Sequence, residues 1–172
     1  MTIVLCHDNE AELLPVVDAE GRVLGQATRG ECHGGARLLH PVVHLHVFDA
    51  RGCLYLQKRP SWKDVQPGRW DTAVGGHMVA GETVEEALRR EAAEELGLVD
   101  FSPEFLMKYV FESTVERELI YAFRSVTAVP PVPSEELDGG RFFSSEEICQ
   151  RLGTGFFTPN FENEYCRLFR RD

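Results

Sequence analysis

A chain of 172 residues that is 43% hydrophobic can bury one sizeable core, and it fits a single domain spanning 1–172. Its formal net charge of −10 argues against nonspecific binding to nucleic acid or to an anionic membrane. An anionic small molecule would therefore have to be met by a local basic patch together with a cation.

The first ten residues, MTIVLCHDNE, have neither the basic region nor the apolar run of a secretory signal, and no stretch is long enough to span a membrane. The five cysteines, Cys6, Cys32, Cys53, Cys149 and Cys166, are scattered and show no CxxC pair. They suggest neither a disulfide framework nor a cysteine zinc site, and a reducing cytoplasm is the expected location. Residues 13–27 hold two short apolar runs around Asp18-Ala19-Glu20-Gly21, which predicts a hairpin. Residues 28–41, with Arg29, His33 and His40, read as a polar, glycine-bearing loop. Val42 to Phe48 alternates as a strand, with His44 and His46 on one face. That pair could be metal ligands, but polar positions on a sheet face are the plainer reading. Asp49 to Gly52 then turns the chain into a second strand, Cys53 to Lys58.

Residues 59–69 form a loop fenced by Pro60 and Pro67-Gly68, and Trp70 to Gly75 reads as one short strand. Arg59 and Lys63 in that loop are candidate phosphate-binding charges, although on spacing alone a surface role suits them equally. Farther on, residues 104–112 and 117–127 are expected as strands, with Glu116 and Glu118 on one face. VPPVPS is a loop, Gly140 to Phe143 a short strand, and Ser144 with Glu147 a capping box opening a helix to about Leu152. Phe161, Tyr165, Leu168 and Phe169 form the apolar stripe of a last helix.

The most informative stretch is 76–98, GHMVAGETVEEALRREAAEELGL. Thr83 and Glu86 form a capping box, and Gly97 stands where a left-handed C-terminal cap belongs. Leu88, Ala92 and Leu96 make an apolar strip for packing on a sheet. Glu91, Glu94 and Glu95 fall at i, i+3 and i+4, side by side on one helix face. Like charges so placed repel, so helix stability does not explain them, whereas a hard cation such as Mg²⁺ takes several carboxylate oxygens. Because the acidic face adjoins the strip, the carboxylates are expected at a cleft edge and not in bulk water. A solvated acidic face is the bland alternative.

This stretch resembles the Nudix box at every fixed position: Gly76, five residues, Glu82, seven residues, Arg90-Glu91, an apolar residue, any residue, Glu94-Glu95, any residue, Gly97 and an apolar residue. The resemblance implies an α/β fold, the Nudix-type α/β/α sandwich with a mixed β-sheet, and hydrolysis of a diphosphate linkage with Mg²⁺ or Mn²⁺. It implies that Glu91, Glu94 and Glu95 hold the metal, with the backbone carbonyl of Gly75. Arg90 would orient the carboxylates and Glu82 would lock the loop, while Gly76 and Gly97 are structural. Glu91, Glu95 and Glu118 are the candidate bases.

Outside the box, KRPSWKDVQPGRWDTAVGGH, VERE and FFTPNF are similar to the isopentenyl-diphosphate isomerase-like branch of that family. In the isomerase three histidines and two glutamates hold a metal, and the matching positions are His33, His40, His77, Glu116 and Glu118. A second divalent metal site is therefore expected, chemically suited to Mn²⁺ or Zn²⁺ as well as Mg²⁺. The isomerase's diphosphate-binding basic residues match Arg29, Arg59 and Lys63. Three departures stand out. Gly75 replaces the cysteine that exchanges a proton with carbon, and Asn160 replaces a tryptophan near the carbocation. Glu91 and Glu94 stand where the isomerase's box carries arginine and tyrosine. The expected function is thus a metal-dependent hydrolase of a small diphosphate compound. An isomerase of allylic diphosphates and a non-catalytic diphosphate-binding module are the alternatives.

Overall fold

The structure is a computed structural model that describes residues 9–63 and 65–170. Cys6 and residues 1–8 of the N-terminal stretch read above lie outside these residues. Among the described residues nine strands and four helices follow one another in chain order. Leu13–Val17 (β1) and Val23–Thr28 (β2) pair as the expected hairpin. Arg29–His33 (α1) comes next, followed by Leu39–Phe48 (β3) and Leu54–Lys58 (β4). Trp70–Thr72 (β5), Val74–His77 (β6) and Val84–Leu96 (α2) contain the box and its approach. Glu104–Glu112 (β7), Arg117–Val126 (β8), Gly140–Phe143 (β9), Ser145–Arg151 (α3) and Pro159–Leu168 (α4) complete the fold.

Two expectations are corrected. The polar stretch at 28–41 is not all loop. Thr28 caps α1, accepting from the Glu31 amide, while the Glu31 side chain accepts from the Thr28 amide. The stretch between Trp70 and Gly75 is not one strand. It breaks at Ala73 because β5 pairs with β4 whereas β6 pairs with β3.

The main sheet has seven strands in the order β5-β4-β3-β8-β7, with β6 added to β3 and β9 to β4. It is mixed: β3 and β8 run parallel, with His40 opposite Glu118, and the other pairs are antiparallel. β3 is buried along nearly its whole length because helices cover both faces of the sheet there. Val43, Leu45, Val47 and Val74 pack on Ala87, Leu88, Ala92 and Leu96 of α2. Burying each such leucine contributes about 1.5–3 kcal/mol. On the other side Leu54, Leu56 and Phe143 meet Ile148 of α3 and Phe161 and Tyr165 of α4, with Phe157 between them. Alternation along β3 therefore turns His40, Val42, His44 and His46 to the α4 side. No helix among the described residues is long and apolar enough to cross a membrane.

β3 changes partner along its length. Val42 to Leu45 pair with β6, and Val47 and Phe48 pair with β4. The sheet divides there, and the C-terminal half of α2 reaches this division.

Candidate functional site

Local chemistry builds the box end of the site. Thr83 caps α2 with the expected capping box, and Gly97 closes it at φ 63°, a left-handed conformation that suits glycine. Glu82 fixes the preceding loop by accepting from the Val79 amide at 3.0 Å. It also accepts two bonds from the Arg90 guanidinium. Arg90 further donates to the His77 carbonyl at 3.0 Å, to Glu91 at 2.8 Å and to Glu94 at 3.2 Å. One planar cation thus ties loop, strand and helix together, as the five-donor fork of arginine allows.

The three box carboxylates differ in environment. Glu91 lies on Gly76, where a Cβ would overlap its carboxylate, so a side chain at 76 and the carboxylate exclude each other. Burial raises Glu91 to about 7, against the opposing pull of Arg90. Glu95 is also held well above the usual carboxylate range, first by burial and then by the charge of Glu91. One of its oxygens accepts from the Gly75 amide at 3.1 Å. Glu94 corrects the expectation of a common cleft edge, because its side chain is 61% exposed. At i+4 from Arg90 it sits on the outer flank of α2, and the arginine keeps it beside Glu91.

A second group forms on the opposite side of the sheet. His33 comes from the end of α1, His40 from the start of β3 and His77 from the end of β6, and the three ring centroids are 5.1–5.2 Å apart. His33, His40 and His77 offer ligand atoms within 4.8 Å of one another, and so do His40, Glu116 and Glu118. His33 Nε2 is 3.5 Å from Glu116, and His77 Nε2 is 3.9 Å from Glu118. His40 Nδ1 is 2.8 Å from the Leu38 carbonyl, which makes Nδ1 the protonated nitrogen and turns the Nε2 lone pair into the cluster. The Nε2 atoms of His40 and His77 are buried without a hydrogen-bond partner. Burial lowers His40 below its ordinary value, and burial followed by the charge of Arg29 lowers His77 well below it. Both are therefore neutral, the form that binds metal. Glu118 is pushed up to about 8, by burial and then by Glu116. Imidazole nitrogens and carboxylate oxygens converging in this way fit a divalent transition metal.

The basic residues surround these groups. Arg29 is 3.7 Å from Glu12 and close enough to the cluster to act on His40 and His77. Arg59 is 3.5 Å from Asp71 and also donates to the Val65 carbonyl. Lys63 lies over the Trp62 ring. Of these two only Arg59 is placed against Asp71. That carboxylate acts electrostatically on Glu95, Glu118 and His44 alike. The box and the histidine cluster are therefore electrostatic neighbours across the division in the sheet.

Sequence reasoning missed one group. Glu164, fully buried on α4, sits 2.6 Å from His44 Nδ1 and 3.2 Å from His46 Nε2, and it accepts from the Tyr109 hydroxyl at 3.1 Å. Burial alone would lower His44, but the charge and hydrogen bond of Glu164 outweigh it and raise His44 to about 9. Glu164 is correspondingly held far below the usual carboxylate range, with its two histidines outweighing burial. The available signal was the His44/His46 alternation together with an acid, Glu164, directly beside Tyr165 of the α4 stripe.

Comparison with known proteins shows what this chain is similar to. The family model described as the NUDIX domain matches residues 38–162. An uncharacterized Nudix hydrolase of Streptomyces coelicolor is 36% identical over 161 residues, covering 91% of this chain and 88% of the relative. An isopentenyl-diphosphate Delta-isomerase of Clavibacter sepedonicus is 34% identical over 131 residues, covering 73% of this chain and 69% of the relative. A crystal structure from Deinococcus radiodurans superposes with a TM-score of 0.79 at 26% identity, over 92% of this chain and 100% of that one.

Proposed function

This chain belongs to the Nudix family, in its isopentenyl-diphosphate isomerase-like branch, and from that footing we propose that it is a metal-dependent hydrolase of a small diphosphate compound. The observation that carries this reading is the position of Glu95. Its carboxylate is buried beside that of Glu91 and anchored by the Gly75 amide, at a residue with no side chain for chemistry on carbon. Carboxylates this buried and this close repel unless a cation or a proton lies between them. Glu91, Glu94 and Glu95 are the ligands we assign to Mg²⁺ or Mn²⁺, with the Gly75 carbonyl. When bound, the ion supplies positive charge to the diphosphate and acidifies water.

The chain's own groups do the rest. Arg90 and Glu82 keep Glu91 and Glu94 in register, so that binding need not order them. Glu95 has one oxygen fixed by the Gly75 amide, leaving the other to take the proton of the attacking water. Arg29, Arg59 and Lys63 offset charge on the leaving phosphate. His33, His40, His77, Glu116 and Glu118 hold a second divalent ion, and Glu118 serves that set and not the water. Isomerisation needs an acid/base side chain at residue 75, which glycine does not offer. A panel of diphosphate compounds, nucleotide and non-nucleotide, assayed with Mg²⁺ and with Mn²⁺, tests the reading. Metal-dependent release of a phosphate product from at least one compound is expected, and none from any compound would reject it.

A further inference from the structure

The α4 side of the sheet holds an ion pair that the proposed hydrolysis does not yet use. Glu164 is enclosed by His44, His46 and Tyr109, with Val42, Ile120 and Ala122 as the neighbouring core. A buried ion pair is a weak source of stability, since apolar residues of similar volume often do as well. The two histidines on Glu164 differ in one respect. The His46 side chain is 0% exposed, whereas that of His44 keeps 8%. The open edge of His44 faces Gly75, its partner across β3 and β6. A Cβ on Gly75 would stand 3.4 Å from His44 Cδ2 and 3.6 Å from Nε2, so any side chain there would cover this edge. The Gly75 amide also binds Glu95, so the ring edge and the box carboxylate meet at the same residue.

We propose that His44 contacts the substrate, its Nε2–H donating past Gly75 to a phosphate oxygen of the diphosphate, and that Glu164 is the positioning residue that holds the ring through Nδ1–H. This rests on the diphosphate reading above and deepens it. No proton is transferred: Nδ1–H stays on Glu164, and Nε2–H is shared with the anion. His46 and Tyr109 complete the carboxylate's hydrogen bonds and keep it ionised. The absence of a side chain at 75, which removes carbon acid/base chemistry, thereby exposes a donor for phosphate.

The test uses wild-type protein labelled at histidine nitrogens and titrated with inorganic pyrophosphate in the presence of Mg²⁺. The His44 Nε2 resonance, assigned in the wild type from its through-bond and through-space correlations, should move as pyrophosphate binds, while that of His46 should move much less. His44→Gln should weaken pyrophosphate binding about tenfold or more, the scale of one hydrogen bond to a charged group. Glu164→Gln keeps an acceptor for Nδ1–H, so it should retain more affinity than Glu164→Ala. Pyrophosphate binding with an unmoved His44 resonance would overturn this inference and leave the hydrolase reading standing. Failure of the wild type to bind pyrophosphate at all would overturn the diphosphate reading with it. The wild-type titration decides even if the substituted chains do not fold.

Discussion

The box carboxylates on α2 and the histidine cluster at the start of β3 handle buried charge in opposite ways. On α2 the charges are contiguous in sequence and an internal cation, Arg90, moderates them. Glu94 stays mostly in water, Glu91 is raised to about 7, and Glu95 is held well above the usual carboxylate range. In the cluster, side chains from α1, β3, β6 and the entry to β8 converge, and Arg29 acts on two of the histidines by charge. Burial lowers His40 and His77 and raises Glu118. The first arrangement is braced by its own arginine; in the second, the divalent ion proposed for it would balance the charge of its carboxylates. It follows that the box should be judged by turnover and the cluster by metal binding and stability.

The largest effect is expected at the box. Glu95→Gln preserves shape and the bond from Gly75 but removes a ligand charge and a proton acceptor. Turnover of the best panel substrate should fall roughly a hundredfold or more while the protein stays folded. Wild-type turnover in this variant, measured beside an unchanged circular dichroism spectrum, would show that α2 is not the reacting end.

How far each region could be read in advance follows the same division. α2 and its caps were legible because Thr83, Glu86, Gly97 and the 88/92/96 strip act within one or two turns. The same local signal, Thr28 with Glu31, also marks α1, but a helix of five residues around Gly30 leaves little periodicity to find. The convergence of the five cluster residues came only from family resemblance, since β3 must pair parallel with β8 to set His40 against Glu118. The break at Ala73 depends on β3 exchanging β6 for β4, which no local pattern encodes. Glu164 was out of reach because its partner His44 is 120 residues away and the α4 stripe reads as ordinary core.

A smaller effect, on stability, sharpens the comparison from the cluster's side. Glu91 at about 7 and Glu118 at about 8 keep protons in the folded state that the unfolded chain releases above its ordinary carboxylate value of 4.5. Through these two carboxylates the folded state binds more protons across that interval, so their contribution to stability without metal falls as pH rises from about 4.5 toward 8. Mn²⁺ binds the ionised carboxylates and neutral imidazoles, so it should raise the melting temperature by several degrees near pH 8 and by little near pH 5. His40→Ala and Glu118→Gln should each bind less Mn²⁺ per chain than wild type and lose part of that rise. Elemental analysis and thermal melts check both points. Equal Mn²⁺ content in both variants and wild type would reduce the cluster to cleft lining.

The central claim is that this chain hydrolyses a diphosphate and does not isomerise one. It is tested most directly by incubating the diphosphate panel, isopentenyl diphosphate included, with Mg²⁺ in deuterated water enriched in heavy oxygen. NMR and mass spectrometry then follow both labels. The account predicts heavy oxygen in a phosphate product of at least one compound, and no deuterium in the carbon skeleton of isopentenyl diphosphate. Deuterium entering that skeleton at an enzyme-like rate, with no heavy oxygen in any phosphate product, would contradict it.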